Sequence, residues 1–259
     1  MKLVIDTEAG TVTCSRPDAP ERTFPLYSGE GFRAVSDVWL RQQWNQMHWR
    51  SFSWFGLQMM QFPEDVLRLQ EVLVALRPDV IVETGVHGGG STAFFASVCR
   101  LLGHGRVISI DITISAEVRR AVEAGPFADL VTLIEGDSAA QDTVAAVRRL
   151  IRPGERAFVF LDSDHSRAHV LRELEAYADL VAEGCYMVAT DGVMGVLADT
   201  PNGLPQWRED NPAEAARDFA ARHAEFAIRR PRALFGEEHV VETLTYWPDA
   251  WLLRLPTTG

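Results

Sequence analysis

Acidic residues recur wherever an apolar run ends. Glu83 follows IV in IVETGVHGGGST (81–92), Asp111 closes RVISIDI (106–112) and Asp137 closes LVTLIEGD (130–137). Asp162 and Asp164 lie in AFVFLDSD (157–164), and Asp191 ends CYMVATD (185–191). One acid in such a place is an ordinary cap for the next helix. Acids at five run ends instead suit a ligand carrying positive charge or many hydrogen-bond donors. Directly after the first acid stand Gly85, Gly88, Gly89 and Gly90. Glycine is used where φ must be positive or where a ligand comes close to backbone.

The spacing Gly85-x-x-Gly88-Gly89-Gly90 departs from the G-x-G-x-x-G turn that carries a pyrophosphate on a helix N-terminus. Glu83 also sits where a phosphate tolerates no negative charge. S-adenosylmethionine fits better, since it has an amino group and a sulfonium and no phosphate. Asp111, some 20 residues beyond the loop, is placed to accept from ribose hydroxyls. Asp137 and Ser138 stand where an adenine amine can donate.

LDSDH (161–165) gathers a second set of groups. Asp162 and Asp164 fall on the same side of an extended segment, with His165 beside them. Carboxylates with further oxygen ligands suit Mg²⁺. A hydroxyl acceptor needs to lose its proton, and His165 is the candidate base to take it, with Asp164 as an alternative. Asp164 and His165 also fit a helix cap before Ser166. His165 and His169 share a face if helical, although His169 reads as a helix-surface residue. His87 is expected near the cofactor carboxylate or in loop packing. His223-x-Glu225 imitates an iron-type pair, but at a helix end away from the other acids.

These groups need a frame, and the chain alternates strand and helix from residue 79 onward. Strands are expected at 79–84, 106–112, 130–137, 157–164 and 185–191, with helices at 64–76, 91–102, 116–125, 138–151 and 166–181. Apolar runs of this kind belong to a parallel sheet covered on both faces. Asn211-Pro212 reads as N-cap and first residue of a helix to about His223, and two strands near EFAIRR and AWLLRL follow. Directly after Asp191, 192–215 reads as a long loop covering the acceptor, with Trp207 and Arg208 as contacts. Upstream, LVI (3–5) and TVT (11–13) suggest a strand pair and 15–31 a linker. The aromatic stretch 36–60 reads as a helix, either a lid or a subunit contact.

The chain has 259 residues with 25 basic and 36 acidic side chains, a formal charge of −11. An acidic surface disfavours nucleic acid and anionic membranes as partners and leaves a small molecule as the expected substrate. Cys14, Cys99 and Cys185 are scattered without metal spacing, which implies free thiols in a reducing compartment. No signal peptide or membrane span is apparent, so the expected location is cytoplasmic.

The blocks WFGLQMMQFPEDVLRLQEVL, IVETGVHGGGST, ISIDI, EGDS, FLDSDHSRAHVLRELEAYADLV and YMVATD resemble the cephalosporin hydroxylase and rhamnosyl O-methyltransferase family. In length and blocks the chain is also similar to sugar O-methyltransferases of calicheamicin-type enediyne biosynthesis. The resemblance implies an α/β, class I S-adenosylmethionine-methyltransferase (Rossmann-like) fold. It would have a mostly parallel seven-stranded sheet and an N-terminal helical and hairpin addition, with domains at 1–62 and 63–259. Implied cofactor contacts are Glu83, Thr84, Gly85, Gly88, Gly89, Ser91, Asp111, Ile112, Asp137, Ser138 and Asp162. The family is expected to hold Mg²⁺ with Asp162 and a carboxylate pair on the following strand; here Thr190-Asp191 stands in that place, so the implied ligands are Asp162, Thr190 and Asp191. His165, Asp164 and Asp162 are the implied catalytic groups. The implied reaction is O-methylation of a hydroxyl on a glycosylated, deoxysugar-bearing natural product by a homo-oligomer. A cofactor-dependent hydroxylase and a non-catalytic binding protein are the alternatives.

Overall fold

The computed structural model describes residues 2–16 and 19–256. Two compact units arise, residues 1–48 with 232–244 and residues 49–231 with 245–259. Residues 49–62, expected with the N-terminal addition, therefore group with the larger unit.

In the smaller unit, β1 (Lys2–Asp6), β2 (Thr11–Arg16) and β3 (Ala19–Pro25) form an antiparallel meander. Ile5 pairs with Val12, and Val12 is fully buried. The segment read as a linker is thus partly a strand, because Thr13 and Thr23 find each other across the ladder at 2.9 Å. Helix α1 (Gly29–Asn45) starts at Ser28, whose hydroxyl accepts from Gly31 N. The single helix expected over 36–60 stops at Asn45; Met47 takes a left-handed φ of 51°.

The larger unit opens with a tight hairpin of β4 (Ser53–Trp54) and β5 (Leu57–Gln58). Its turn residues Phe55 and Gly56 both have positive φ, the geometry a two-residue hairpin demands. Helix α2 (Pro63–Leu76) follows, with proline at its start and Glu64 and Asp65 in its first turn. The alternation then runs through β6 (Val80–Thr84), α3 (Gly90–Leu102), β7 (Arg106–Asp111), α4 (Ala116–Glu123), β8 (Val131–Glu135) and α5 (Gln141–Leu150). It continues with β9 (Ala157–Leu161), α6 (Arg167–Tyr177), β10 (Tyr186–Ala189), α7 (Met194–Leu197), α8 (Pro212–Arg222), β11 (Phe226–Ile228) and β12 (Trp251–Arg254).

The strands make one seven-stranded sheet in the order β11-β12-β10-β9-β6-β7-β8. Pairs from β10 to β8 are parallel, and β12 runs antiparallel to both of its neighbours. β6 lies between β7 and β9, so the connections reverse direction there, and in open α/β sheets such a reversal is where ligands bind, beyond the carboxyl ends of the strands. Every residue of β6 and β9 is buried. On one face Val80, Val82, Val159, Leu161 and Met187 pack with Leu174, Tyr177 and Phe219. On the other, Phe160 meets Phe95 and Trp247 edge to face at 5.1 and 5.3 Å. The long loop expected over 192–215 is interrupted by α7 and a short 3₁₀ turn at Pro205–Arg208, and Asn211 caps α8. Among the described residues no helix is long and apolar enough to cross a membrane.

One buried acid in this frame makes stability depend on pH. Asp65 accepts from Thr245 Oγ1 at 2.5 Å and from Tyr246 N at 2.8 Å, tying α2 to the segment before β12. Burial nevertheless outweighs these bonds and lifts its pKa from 3.8 to about 8. The folded chain then holds a proton that the unfolded chain releases. Its contribution is complete below about pH 4 and declines as pH rises toward 8. Asp65→Asn keeps the shape and removes the titration. The unfolding free energy in urea should fall between pH 5 and pH 8 in the wild type, by an amount on the order of a few kcal/mol, and stay flat at this site in the variant. Equal slopes would show that Asp65 titrates normally.

Candidate active site

The glycine turn adjoins Asp111 and Asp162 at the carboxyl ends of β6, β7 and β9. Glu83 is fully buried under the turn. Its Oε2 accepts from Thr92 Oγ1 and Ser109 Oγ at 2.6 Å each, which ties the first turn of α3 to β7. Burial raises its pKa against the pull of Ser109, Ser91 and Thr92, and its Oε1 has no partner. Glu83 therefore shapes the turn from beneath. Thr84 and Ser91 are buried beside it.

The four glycines are explained largely by backbone. Gly85 has φ +90°, and a Cβ there would lie 2.0 Å from the carbonyl oxygen of Asp162. Gly88 and Gly90 abut Gln58, whose carbonyl oxygen would stand 2.9 and 2.4 Å from their added Cβ atoms. Gly89, at φ +80°, bridges Gln58 and forms the N-cap of α3. Asp111 closes the turn from the other side: its Oδ2 accepts from the amides of Val86 and His87 at 2.8 Å, and its Oδ1 from Thr113 N. His87 is held at φ 40°. Ile112, next in line, is two-thirds exposed.

At the end of β8, Asp137 accepts from Ala139 N at 2.9 Å, so α5 starts at Gln141 and not at 138. Ser138 differs from expectation. Its hydroxyl, expected to accept from an amine, donates instead to the buried Glu173 at 2.5 Å. Ser163 Oγ donates to the same Glu173 oxygen at 2.7 Å, and His169 Nε2 lies within 3.3 Å of both hydroxyls. His169 is thus a largely buried member of a network. Its pKa is raised, chiefly by its bond to Glu173.

Asp162, Asp191 and His165 converge beyond β9 and β10. One donor atom from each lies within 4.8 Å of the others, with His165 Nε2 3.5 Å from Asp191 Oδ2. Asp162 is anchored through its amide to Thr84 O at 3.0 Å, through Oδ2 to Gln61 Nε2 at 2.7 Å, and through Oδ1 to Thr190 Oγ1. Burial raises the pKa of both Asp162 and Asp191, and for Asp162 the facing Asp191 adds to it. Two acids forced together in this way are relieved by a cation.

Two expected members stand beside this cluster. Thr190 Oγ1 is directed at Leu161 O at 3.0 Å and at Asp162 Oδ1, which orients the Asp162 carboxylate. Asp164 accepts from Ser166 N at 2.7 Å, which holds the turn into α6, and the Ser166 hydroxyl and then its amide lower its pKa. His223 pairs with Glu175 and Glu225 and stacks on Phe219, apart from the strand ends. Arg208 lines an open cleft of about 640 Å³ with Arg167 and Asp218, and Trp207 O accepts from Asn211. Nothing local in the sequence marks Gln61 or Glu173, because what engages them, Asp162 for the first and Ser138 with Ser163 for the second, comes from other segments.

A family model for rhamnosyl O-methyltransferase/CmcI matches residues 46–255. The rhamnosyl O-methyltransferase of Mycobacterium leprae is 29% identical over 174 residues, which cover 65% of this chain and 73% of that protein. The Mycobacterium bovis enzyme is 29% identical over 161 residues, 61% of this chain and 64% of its own length. The chain thus matches a little under two-thirds of the latter. Among solved structures, apo CmcI aligns with a TM-score of 0.55 at 20% identity, covering 95% of this chain and 91% of that one. A CmcI structure with Mg and SAM aligns at 0.52 and 21%, covering 80% and 78%. At such identities the likeness concerns the fold, which is that of class I methyltransferases.

Proposed function

Because this chain belongs to the rhamnosyl O-methyltransferase/CmcI family, we propose that it moves the methyl group of S-adenosylmethionine onto a hydroxyl of a small glycosylated molecule. The finer reading, a deoxysugar of a natural product, is supported by the rhamnosyl enzymes among its relatives. One observation carries the proposal: Gly85 packs directly on the carbonyl of Asp162, so the donor turn and the acid cluster share one wall.

In the reaction, an acceptor oxygen attacks the methyl carbon in line. The carbon–sulfur bond breaks, its electron pair stays on sulfur, and the hydroxyl proton passes to the imidazole of His165, whose Nε2 lies 3.5 Å from Asp191 Oδ2. The chain's part is position and charge. Asp111 would receive the ribose hydroxyls, the Gly85–Ser91 turn would bear the methionine moiety, and Asp162 with Asp191 would hold a divalent cation such as Mg²⁺. The residues fit an ion: two acids converge and Gln61 Oε1, buried beside them, lacks a partner. When bound, such an ion acidifies and orients a hydroxyl. Thr190 does not argue for a non-catalytic protein, since its hydroxyl supports Asp162.

Isothermal titration should give heat with S-adenosylmethionine and none with NAD. Asp111→Ala should weaken that binding by about 1–3 kcal/mol, through lost ribose contacts and through the loosened Val86 and His87 amides. Incubation with labelled donor and a panel of glycosylated metabolites, read by product mass, should yield a gain of one methyl group. Heat with NAD alone, or unchanged affinity in the variant, would overturn the assignment.

A further inference from the structure

Helix α6 holds two loops of the site with one carboxylate. Glu173 is fully buried, and its Oε1 accepts from Ser138 Oγ at 2.5 Å and from Ser163 Oγ at 2.7 Å. The two serines come from different strand ends: Ser138 follows Asp137 after β8, and Ser163 follows Asp162 after β9. In the sheet β6 and β7 lie between those strands, which puts about 14 Å between them at the usual strand spacing. Their loops nevertheless close onto a single oxygen. Tyr177, one turn further along α6, adds a third tie by donating from its hydroxyl to Ser138 O at 2.7 Å. His169, one turn earlier, completes the set. Arg172 Nη2 stands 2.9 Å from its Nδ1, and a guanidinium only donates. Nδ1 therefore accepts, and Nε2 carries the hydrogen that faces Glu173 and both serine oxygens.

Stability does not explain a carboxylate here. Val170, Leu174 and Tyr177 of the same helix belong to the apolar core, and a buried charge costs more to fold than an apolar side chain of similar size. Its Oε2 has no partner. We infer that Glu173 is a positioning residue: by taking both hydroxyls on one oxygen it fixes the Asp137 loop, on the adenine side of the donor, to the Asp162 loop, where the acceptor loses its proton, so that donor binding and turnover are linked through α6. The inference rests on the methyl-transfer reading and adds to it a group outside the acid cluster.

The test uses the full chain with Mg²⁺ present. It reads S-adenosylmethionine affinity by titration, and single-turnover rate at saturating labelled donor with the panel metabolite that the wild type methylates. Ser163→Ala lies on the acid side, yet it should weaken donor binding by at least about threefold, the scale of one lost hydrogen bond. Ser138→Ala lies on the donor side, yet it should slow turnover at saturating donor by at least about threefold. Glu173→Leu should cost both quantities about 10–100-fold while remaining folded by far-ultraviolet circular dichroism, and adding either serine substitution to it should change nothing further. Glu173→Gln keeps one oxygen for both hydroxyls and should stay within about threefold of wild type in both. Wild-type affinity and rate in folded Glu173→Leu, serine effects confined to their own side, or a Gln variant as impaired as Leu would each overturn the assignment. If Glu173→Leu does not fold, the serine variants decide. Wild type that neither binds the donor nor methylates any panel metabolite would sink the methyl-transfer reading and this role with it, whereas a competent wild type without the cross-effects removes only the role of Glu173.

Discussion

Asp162→Ala should lower methyl transfer by about three orders of magnitude, the scale of a charged group at a reacting centre. Asp162 joins several parts of the site. Its amide is bonded to the end of β6, its two oxygens take Gln61 and Thr190, and its carboxylate faces Asp191 and His165. Removing it leaves the Gln61 amide and the Thr190 hydroxyl without their acceptor and takes one anionic ligand from the cluster. Cofactor affinity should change much less than turnover, because the turn and Asp111 are untouched. Single-turnover assays with labelled donor, alongside titration of donor binding, separate the two. A rate within tenfold of wild type would show that chemistry occurs elsewhere.

Gly85→Ala should fail for a different reason. The added methyl would meet the Asp162 carbonyl oxygen at 2.0 Å and its carbon at 2.6 Å, and φ is +90° besides. Both atoms are main chain of Asp162, one residue past the end of β9, so neither yields without parting the ends of β6 and β9. The cost should exceed about 3 kcal/mol, enough to leave little folded protein in a chain of ordinary stability. Gly154→Ala is the control. It has φ +86° with nothing within 4 Å of the added carbon, so only backbone strain of about 1–2 kcal/mol is expected. Urea unfolding by far-ultraviolet circular dichroism should separate the pair clearly. Equal losses would mean that φ, and not the Asp162 carbonyl, dictates glycine at 85.

Much of the fold is legible in the chain because a sheet covered on both faces writes itself as uniform apolar runs. β6, β7 and β9 stand out for that reason, and the acids beyond them mark the rim. What stays hidden is set by partners distant in sequence. Glu83 looks like a rim acid, but a strand buried on both faces gives it no route to solvent, and it turns to Thr92 and Ser109. Ser138 and Ser163 are 25 residues apart and answer to Glu173, which nothing local distinguishes from a surface glutamate on α6. The hairpin at 53–58 lies inside a stretch whose aromatic content suggests helix, and only the Phe55-Gly56 turn departs from that pattern.

Gln58 leaning on the donor turn carries a consequence for how such sequences diverge. Gly88 and Gly90 are demanded by a neighbouring stretch of main chain, independent of any ligand. A descendant that abandoned catalysis would keep them, whereas Asp162 and His165 would be free to drift. Retained glycines thus testify to shared ancestry of shape, and it is the fate of the acids and the imidazole that records whether chemistry survives.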